Sequence, residues 1–184
     1  MKRKVIIAIL FTLIAVGGKM LPHEVLTAPI SQLGGSTSKL RDETDGLSLV
    51  TRIVDGDTII VEVNGVQEKI RLIGTDTPEV VDPRKPVQCF GKEASAFTKN
   101  LLAGGSVRLE SDPTQGDRDK YGRLLRYVFL SDGTFVNKTL IAEGYAHEYT
   151  YRIPYRYQTD FKTAERSARE NKKGLWVPGA CVPK

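Results

Sequence analysis

The dipeptide Asn64-Gly65 separates two runs of apolar and β-branched residues, and it restricts how this part of the chain can fold. Both residues tolerate positive φ, which a two-residue hairpin turn requires. The flanking runs, 58–63 and 67–73, have the composition of β-strands. The sequence therefore predicts two antiparallel strands joined by a tight turn, with a third strand-like run, 47–54, upstream of them.

Two more strands and three helices are predicted downstream. Apolar residues at helical spacing predict a helix at 91–102. The remaining elements are two strands, a short helix and a longer helix, at 107–110, 124–130, 136–143 and 155–173. Five strands with a helix after the third predict an α+β fold with a partly closed barrel.

The N-terminus carries a basic cluster followed by an apolar run, 5–16, which is typical of a secretory signal. This run is shorter than the roughly 20 residues that a helix needs to cross the hydrocarbon core. No Ala-x-Ala cleavage site follows it, so residues 1–22 are predicted to be either a cleaved signal peptide or an uncleaved membrane anchor. In both cases we expect a secreted or extracytoplasmic protein. Residues 23–46 are aperiodic and predict a flexible linker, which leaves one domain over 47–184.

The net charge is positive but small. The chain has 27 Lys and Arg against 22 Asp and Glu, which gives a formal charge of +5. Such an excess fits a partner that carries phosphates, and it fits many secreted basic proteins equally well. The function must therefore be argued from local clusters.

The chain contains two cysteines, Cys89 and Cys181. In an exported protein a disulfide between them is chemically plausible, and two free thiols are the alternative. Two cysteines with one downstream histidine, His147, do not make a zinc site. We predict a disulfide that ties the loop before the first helix to the C-terminal tail.

Acidic residues at two turns form a candidate cation site. Asp57 follows the first strand-like run, and Asp76 follows the third. Their carboxylates and the backbone carbonyl of Thr77 are hard oxygen ligands, which Ca²⁺ accepts in loose geometry. The alternative is structural, with Asp57 bonded to its own turn and Asp76 capping the Thr-Pro turn. Asp55 and Gly56 are assigned to turn geometry.

Two arginines and a glutamate complete a set suited to phosphodiester cleavage. Arg71 and Arg123 each carry a planar guanidinium that can bind non-bridging phosphate oxygens bidentately. Glu79 lies three residues after Asp76 and can reach a water near the cation, which must be oriented and partly deprotonated before it attacks. Gly122, next to Arg123, is expected to allow a close approach of the backbone to a ligand. Surface salt bridges and a solvated loop acid are the alternatives.

Three segments, 55–58, 71–79 and 119–123, resemble the thermonuclease (staphylococcal nuclease) family in order and spacing. The resemblance extends over residues 47–176. It implies a five-stranded OB-fold Greek-key barrel with about three helices. It also implies a Ca²⁺-dependent nuclease that cleaves DNA and RNA with little sequence preference and leaves 3′-phosphate ends. We expect a monomer.

The resemblance gives Glu79 the position of the proposed general base, and it gives Arg71 and Arg123 the phosphate-binding positions. A rival from another class is a non-catalytic OB-fold module that binds nucleic acid or a protein partner. Degenerate relatives of that kind typically lose the acids or arginines. This chain keeps all of them, including Asp57 and Asp76.

Four further residues are predicted to contact the substrate. By the same resemblance, Lys120 and Tyr121 contact the phosphate and the base beside the scissile group. Tyr149 and Tyr151 could each stack on a base, and the spacing does not decide which of them does so. Either tyrosine could instead anchor its loop to the barrel.

Overall fold

The computed structural model describes residues 46–80 and 86–181. The described elements, in chain order, are β1 Leu47–Asp55, β2 Thr58–Val63, β3 Val66–Leu72, β4 Thr75–Asp76, α1 Gly91–Leu101, β5 Ser106–Glu110, β6 Leu124–Leu130, α2 Val136–Ala142, β7 His147–Glu148, α3 Gln158–Glu170 and a 3₁₀ turn Gly174–Trp176.

Five strands close into a barrel with the spatial order β1-β2-β3-β6-β5. β3 and β6 pair in parallel, and the other barrel pairings are antiparallel. A parallel pair needs a long crossover connection, and here the chain makes it through α1 and β5. The predicted α+β class is confirmed, with a five-stranded barrel of the OB type and three helices.

The hairpin turn at Asn64-Gly65 is confirmed. Asn64 has φ 51° and Gly65 has φ 79°, and Val63 pairs directly with Val66 across the turn. Positive φ at both central residues is the geometry that matches the twist of the two strands. β3 therefore begins one residue earlier than predicted.

Alternate residues of β2 and β3 fill the barrel. Ile59, Val61, Ile70 and Leu72 are each exposed by at most 1%. Successive side chains of a strand point to opposite faces, so Arg71 points away from the core. Helices α2 and α3 cover the barrel with the buried residues Val136, Leu140, Ile141 and Phe161.

The last helix is shorter than predicted at its N-terminal end. α3 begins at Gln158, whereas Tyr155 is buried and packs against Gly74. A Cβ at Gly74 would lie 2.5 Å from the Tyr155 ring, and the Tyr155 hydroxyl lies 3.0 Å from a carboxylate oxygen of Glu148. Tyr155 therefore serves the core, and the helix begins only after it.

A second sheet, formed by β4 and β7, was not predicted. Thr75 pairs with Glu148 and Asp76 pairs with His147. Strands of two residues leave no alternation in the sequence, so their pairing is visible only in the fold. This sheet fixes the backbone of Asp76.

The predicted disulfide is present. Cys89 and Cys181 are bonded, with their Cα atoms 5.6 Å apart. In the chain-entropy model a crosslink of this span stabilises a fold by about 4 to 5 kcal/mol. The bond joins the segment before α1 to the C-terminal tail, as predicted.

The predicted signal or anchor, 1–22, and nearly all of the predicted linker lie outside the described residues. Within 46–80 and 86–181, no helix is both long and apolar enough to cross a membrane. The two N-terminal segments stay predictions from the sequence.

Asp112 joins the loop after β5 to the segment before α3. Its carboxylate accepts hydrogen bonds from the Tyr127 hydroxyl at 2.7 Å and from the backbone N–H groups of Arg156 and Thr114, both at 2.9 Å. Burial acts to raise the pKa of Asp112, but these bonds outweigh it and hold the pKa at about 2. The folded state therefore favours the charged carboxylate.

We expect Asp112→Asn to lower the free energy of unfolding at pH 7 by about 1 to 3 kcal/mol, because the substitution leaves buried donors without their charged acceptor. A lowered carboxyl pKa stabilises the fold above the unfolded pKa of 3.8 and loses that effect as the pH falls toward 2. The difference between the two proteins should therefore shrink between pH 4 and pH 2. Urea unfolding across this range checks it, with Asp160→Asn, an exposed acid on α3, as the control. Parallel stability curves for the wild type and Asp112→Asn would contradict the assignment.

Candidate active site

Arg71 joins the two acids predicted to hold a cation. Its Nη1 lies 2.5 Å from Oδ2 of Asp57, and its Nη2 lies 2.8 Å from Oδ1 of Asp76. Nη1 also donates to the carbonyl of Thr75 at 2.7 Å. The side chains of Arg71 and Asp57 are 14% and 9% exposed, so their contact is shielded from solvent, whereas the Asp76 side chain is 49% exposed. The β2–β3 register, which pairs Thr58 with Arg71, places the arginine beside the turn that carries Asp57.

The turn at Asp57 packs directly against Thr77. The Thr77 N–H donates to Oδ2 of Asp57 at 2.9 Å, and the Thr58 hydroxyl donates to Oδ1 at 2.9 Å. A Cβ at Gly56 would lie 2.7 Å from the Thr77 side chain, so only glycine permits this approach. The Thr98 hydroxyl of α1 donates to the Gly56 carbonyl at 2.7 Å and holds the turn from the other side.

The donor set fits a hard divalent cation. Burial raises the pKa of Asp76; Arg71 opposes this rise and the nearby Asp57 charge adds to it. The Thr77 hydroxyl is buried without a hydrogen-bond partner among the described residues. Within those residues no three His, Cys, Asp or Glu side chains are grouped as a metal site. A cation here would therefore use two carboxylates, oxygens of Thr77 and water, a mixture that Ca²⁺ accepts.

Glu79 is linked to this cluster through Asp55. The Glu79 side chain is half-buried, and its carboxylate accepts the Val80 N–H at 3.0 Å. It also hydrogen-bonds to the carboxyl group of Asp55. The predicted base thus lies against the same turn that carries Asp57.

Asp55 does more than the sequence predicts. Its Oδ1 accepts the Gly56 N–H at 2.8 Å, which confirms its role in the turn. Its Oδ2 lies 3.5 Å from the Val80 N–H, across 25 residues of sequence. Burial raises the pKa of Asp55 to about 7; the Gly56 bond opposes the rise, and the charges of Asp57 and Glu79 add to it. Sequence reasoning missed the Val80 contact because it depends on how two loops pack.

A cleft of about 580 Å³ opens beside Arg71 and Asp76. Other predicted site residues that line it are Lys120, Tyr121, Arg123, Tyr149 and Tyr151. Asp57, Thr77 and Glu79 lie outside its lining. Asp57 contacts the lining residue Arg71, and Thr77 follows the lining residue Asp76 in the chain. The structure thus brings the two predicted arginines to one cleft, with the acids at its edge.

Asp119 positions Arg123. The Nε of Arg123 donates to Oδ2 of Asp119 at 2.6 Å, and the backbone N–H groups of Tyr121 and Arg123 donate to Oδ1 at 2.9 and 3.0 Å. Burial acts to raise the pKa of Asp119, but these hydrogen bonds lower it. The sequence contained Asp119 within a recognised segment but gave no sign of this role.

The predicted close approach of a ligand to Gly122 stays a prediction. No protein atom lies within 4 Å of the position that a Cβ would occupy. Gly122 has φ 79°, and its N–H donates to the Asp119 carbonyl at 3.0 Å. Glycine is needed because the turn that presents Arg123 requires positive φ.

Three exposed tyrosines lie at the cleft. Tyr121 is 71% exposed, and Tyr149 and Tyr151 are 44% and 60% exposed. The rings of Tyr149 and Tyr151 are 6.4 Å apart at an angle of 38°, and the Arg152 guanidinium lies 5.1 Å from the Tyr151 ring. Both tyrosines are therefore available for stacking on a base, and Arg152 is a cleft residue that the sequence did not suggest.

The sequence is similar to those of known proteins. Residues 69–178 match the family model described as "Staphylococcal nuclease homologue". The chain is 48% identical over 127 residues to the thermonuclease of Staphylococcus hyicus, covering 69% of this chain and 73% of that protein. It is 45% identical over 128 residues to the thermonuclease of Staphylococcus intermedius, covering 70% and 74%. It is 42% identical over 133 residues to the endonuclease YncB of Bacillus subtilis, covering 71% and 62%.

Proposed function

The chain belongs to the staphylococcal nuclease family, and from that premise we propose that it is a calcium-dependent endonuclease that hydrolyses phosphodiester bonds of DNA and RNA. We propose little sequence preference, because the cleft offers charges and aromatic faces that any nucleotide can use. The observation that carries the proposal is the contact of Arg71 with both Asp57 and Asp76, at the edge of a cleft that also holds Arg123.

Each site residue has a chemical task in this proposal. The Glu79 carboxylate orients the attacking water and accepts its proton. The guanidinium groups of Arg71 and Arg123 bind the non-bridging oxygens as negative charge builds up on them. Asp57, Asp76 and Thr77 would hold Ca²⁺, which when bound adds positive charge for the same oxygens.

The substrate-binding surface is assigned to the cleft. Lys120 contacts a neighbouring phosphate, and Tyr121, Tyr149 or Tyr151 stack on bases beside the scissile bond. Membership of the family supports 3′-phosphate products. We propose that the enzyme acts as a monomer.

The proposed location is outside the cytoplasm. The Cys89–Cys181 bond supports it, because disulfides persist in oxidising compartments. Residues 1–22 would serve as a cleaved signal or as an anchor through 5–16. Mass analysis of the exported protein's N-terminus distinguishes these two fates.

The experiment that tests the proposal is cleavage of end-labelled single-stranded DNA, duplex DNA and RNA in the presence of Ca²⁺. We expect all three to be cut at many positions. The products should carry 3′-phosphate ends, which a polynucleotide 3′-phosphatase converts to 3′-hydroxyls. Binding of the same oligonucleotides without cleavage would instead support a non-catalytic OB-fold module. Cleavage that leaves 5′-phosphates would contradict the proposed bond but not the nuclease activity.

We expect Asp57→Ala to raise the calcium concentration needed for half-maximal cleavage by about 10-fold or more, because a ligand carboxylate is lost. Asp160→Ala, which removes an exposed acid on α3, is the matched control. Calorimetric titration with Ca²⁺ alone gives a second readout that does not depend on cleavage. An unchanged calcium requirement in Asp57→Ala would end its assignment as a ligand.

A further inference from the structure

Gln88 holds the backbone of Glu79 at both of its polar groups. The Glu79 N–H donates to Oε1 of Gln88 at 2.8 Å, and the Gln88 N–H donates to the Glu79 carbonyl at 2.9 Å. These two bonds join residues 9 positions apart in the chain. The backbone of the proposed base is thus fixed in orientation by one residue.

The N-terminus of α1 lies directly behind this pair. The Gly91 N–H donates to the Gln88 carbonyl at 3.1 Å. A Cβ at Gly91 would lie 2.9 Å from the Val80 side chain and 3.2 Å from the Glu79 carbonyl. Phe90, which directly precedes Gly91, has φ 67°, a conformation that a residue with a side chain adopts only when its surroundings hold it there.

The segment around Gln88 has little burial of its own. Gln88 and Cys89 are exposed, so the hydrophobic effect contributes little to holding them in place. The disulfide attaches Cys89 to Cys181. The ring of Phe90, 5.5 Å from that of Tyr145, is a second attachment.

The tail that carries Cys181 is itself fixed to the folded domain. The Leu175 N–H donates to the Gly144 carbonyl at 2.8 Å, and a Cβ at Gly174 would lie 2.3 Å from that same carbonyl oxygen. The Arg169 guanidinium of α3 lies 4.0 Å from the Trp176 ring. The disulfide therefore connects Gln88 to a rigid anchor, through Cys89 on one side and Cys181 on the other.

We propose that Gln88 is a positioning residue for Glu79, and that the Cys89–Cys181 disulfide keeps it in place, so that the enzyme is fully active only in its oxidised form. This inference deepens the proposed function and rests on it. A dithiol reductant converts the oxidised form to the reduced form. Its two thiols give up two electrons and two protons and form a disulfide, while the S–S bond of the protein becomes two thiols. Gln88 and the two cysteines do not line the cleft, so reduction is expected to preserve substrate binding.

The first test compares Gln88→Ala, Gln88→Glu and the wild type under single-turnover conditions with Ca²⁺. We expect Gln88→Ala to lower the maximal rate by about 10-fold, because small displacements of a reacting group are costly, with the Kd for DNA unchanged. Gln88→Glu keeps an oxygen acceptor for the Glu79 N–H and should recover most of the rate. Gln67→Ala, which removes another exposed glutamine with a side-chain hydrogen bond, should act like the wild type. An equal loss in Gln88→Ala and Gln88→Glu, or a loss confined to DNA binding, would overturn the positioning role.

The second test is a double-mutant cycle between reduction and Gln88. We expect a dithiol to lower the maximal rate of the wild type by several-fold to 10-fold, and to have much less effect on Gln88→Ala. The double variant Cys89→Ser, Cys181→Ser should resemble the reduced wild type and be insensitive to the dithiol. All rates are taken below the unfolding transition, measured by circular dichroism for each sample. Full additivity of the two effects, or no effect of reduction on the folded wild type, would overturn the link. A wild type that never cleaves would instead contradict the proposed function.

Discussion

Glu79→Gln should lower the maximal rate of cleavage by about 10² to 10⁴-fold, the range that general base catalysis contributes. Glutamine keeps the shape of the side chain. Its amide oxygen can still accept the Val80 N–H, and its amide group can still hydrogen-bond to the Asp55 carboxyl group. It cannot accept a proton from water at neutral pH. The loss should therefore lie in the chemical step.

Single-turnover kinetics with excess enzyme separate this step from binding. We expect the Kd of Glu79→Gln for DNA to stay within about 3-fold of the wild type, since Glu79 lies outside the lining of the cleft. Glu93→Gln, which neutralises an exposed acid at the start of α1, is the matched control. A Glu79→Gln enzyme with wild-type turnover would remove Glu79 from the mechanism.

Arg123→Ala should slow cleavage by about 10²-fold or more, the cost of losing one donor to a developing oxyanion. Its guanidinium is oriented by Asp119 and faces the same cleft as Arg71. Arg123→Lys should recover only part of the rate, because an ammonium group keeps the charge but not the planar fork. Arg166→Ala, which removes an exposed positive charge from α3, controls for the change in net charge.

Arg71→Ala should slow cleavage to a similar extent, but with a different effect on calcium. Arg71 is paired with both Asp57 and Asp76, so its removal leaves two carboxylates without their shared positive partner. Calcium binding should then tighten in Arg71→Ala and stay unchanged in Arg123→Ala. Calorimetric titration with Ca²⁺ compares the two variants. Equal calcium affinities would contradict the claim that the two acids in contact with Arg71 form the calcium site.

The sequence predicted the barrel because its strands are long enough to show a strand-like composition between turn residues. Residues 58–63 and 67–73 are rich in apolar and β-branched residues, and the turn between them carries residues that tolerate positive φ. β4 and β7 were missed because two residues cannot show a period, although their pairing fixes Asp76. The start of α3 was misplaced because the burial of Tyr155 against Gly74 is a tertiary contact.

The parts of the candidate site that depend on the type of side chain could be predicted from the sequence. Arg71, Asp57 and Asp76 were named from the sequence, and the alternation of β3 already turned Arg71 away from the core. That one guanidinium touches both acids depends on the β2–β3 register and on the packing of Gly56 against Thr77. Gln88 was missed for the same kind of reason, because its bonds to Glu79 depend on how a loop closes.

Calcium dependence of cleavage by the purified, oxidised chain is the most direct test of the account. DNA is incubated with the protein in Ca²⁺, then with excess chelator, and then with Ca²⁺ restored. We predict cleavage in the first and third conditions and a loss of cleavage in the second, because the proposed role of Asp57 and Asp76 is to hold a cation that adds positive charge at the phosphate. Equal cleavage with and without chelator would contradict the calcium site, and no cleavage in any condition would contradict the assignment of this cleft to phosphodiester hydrolysis.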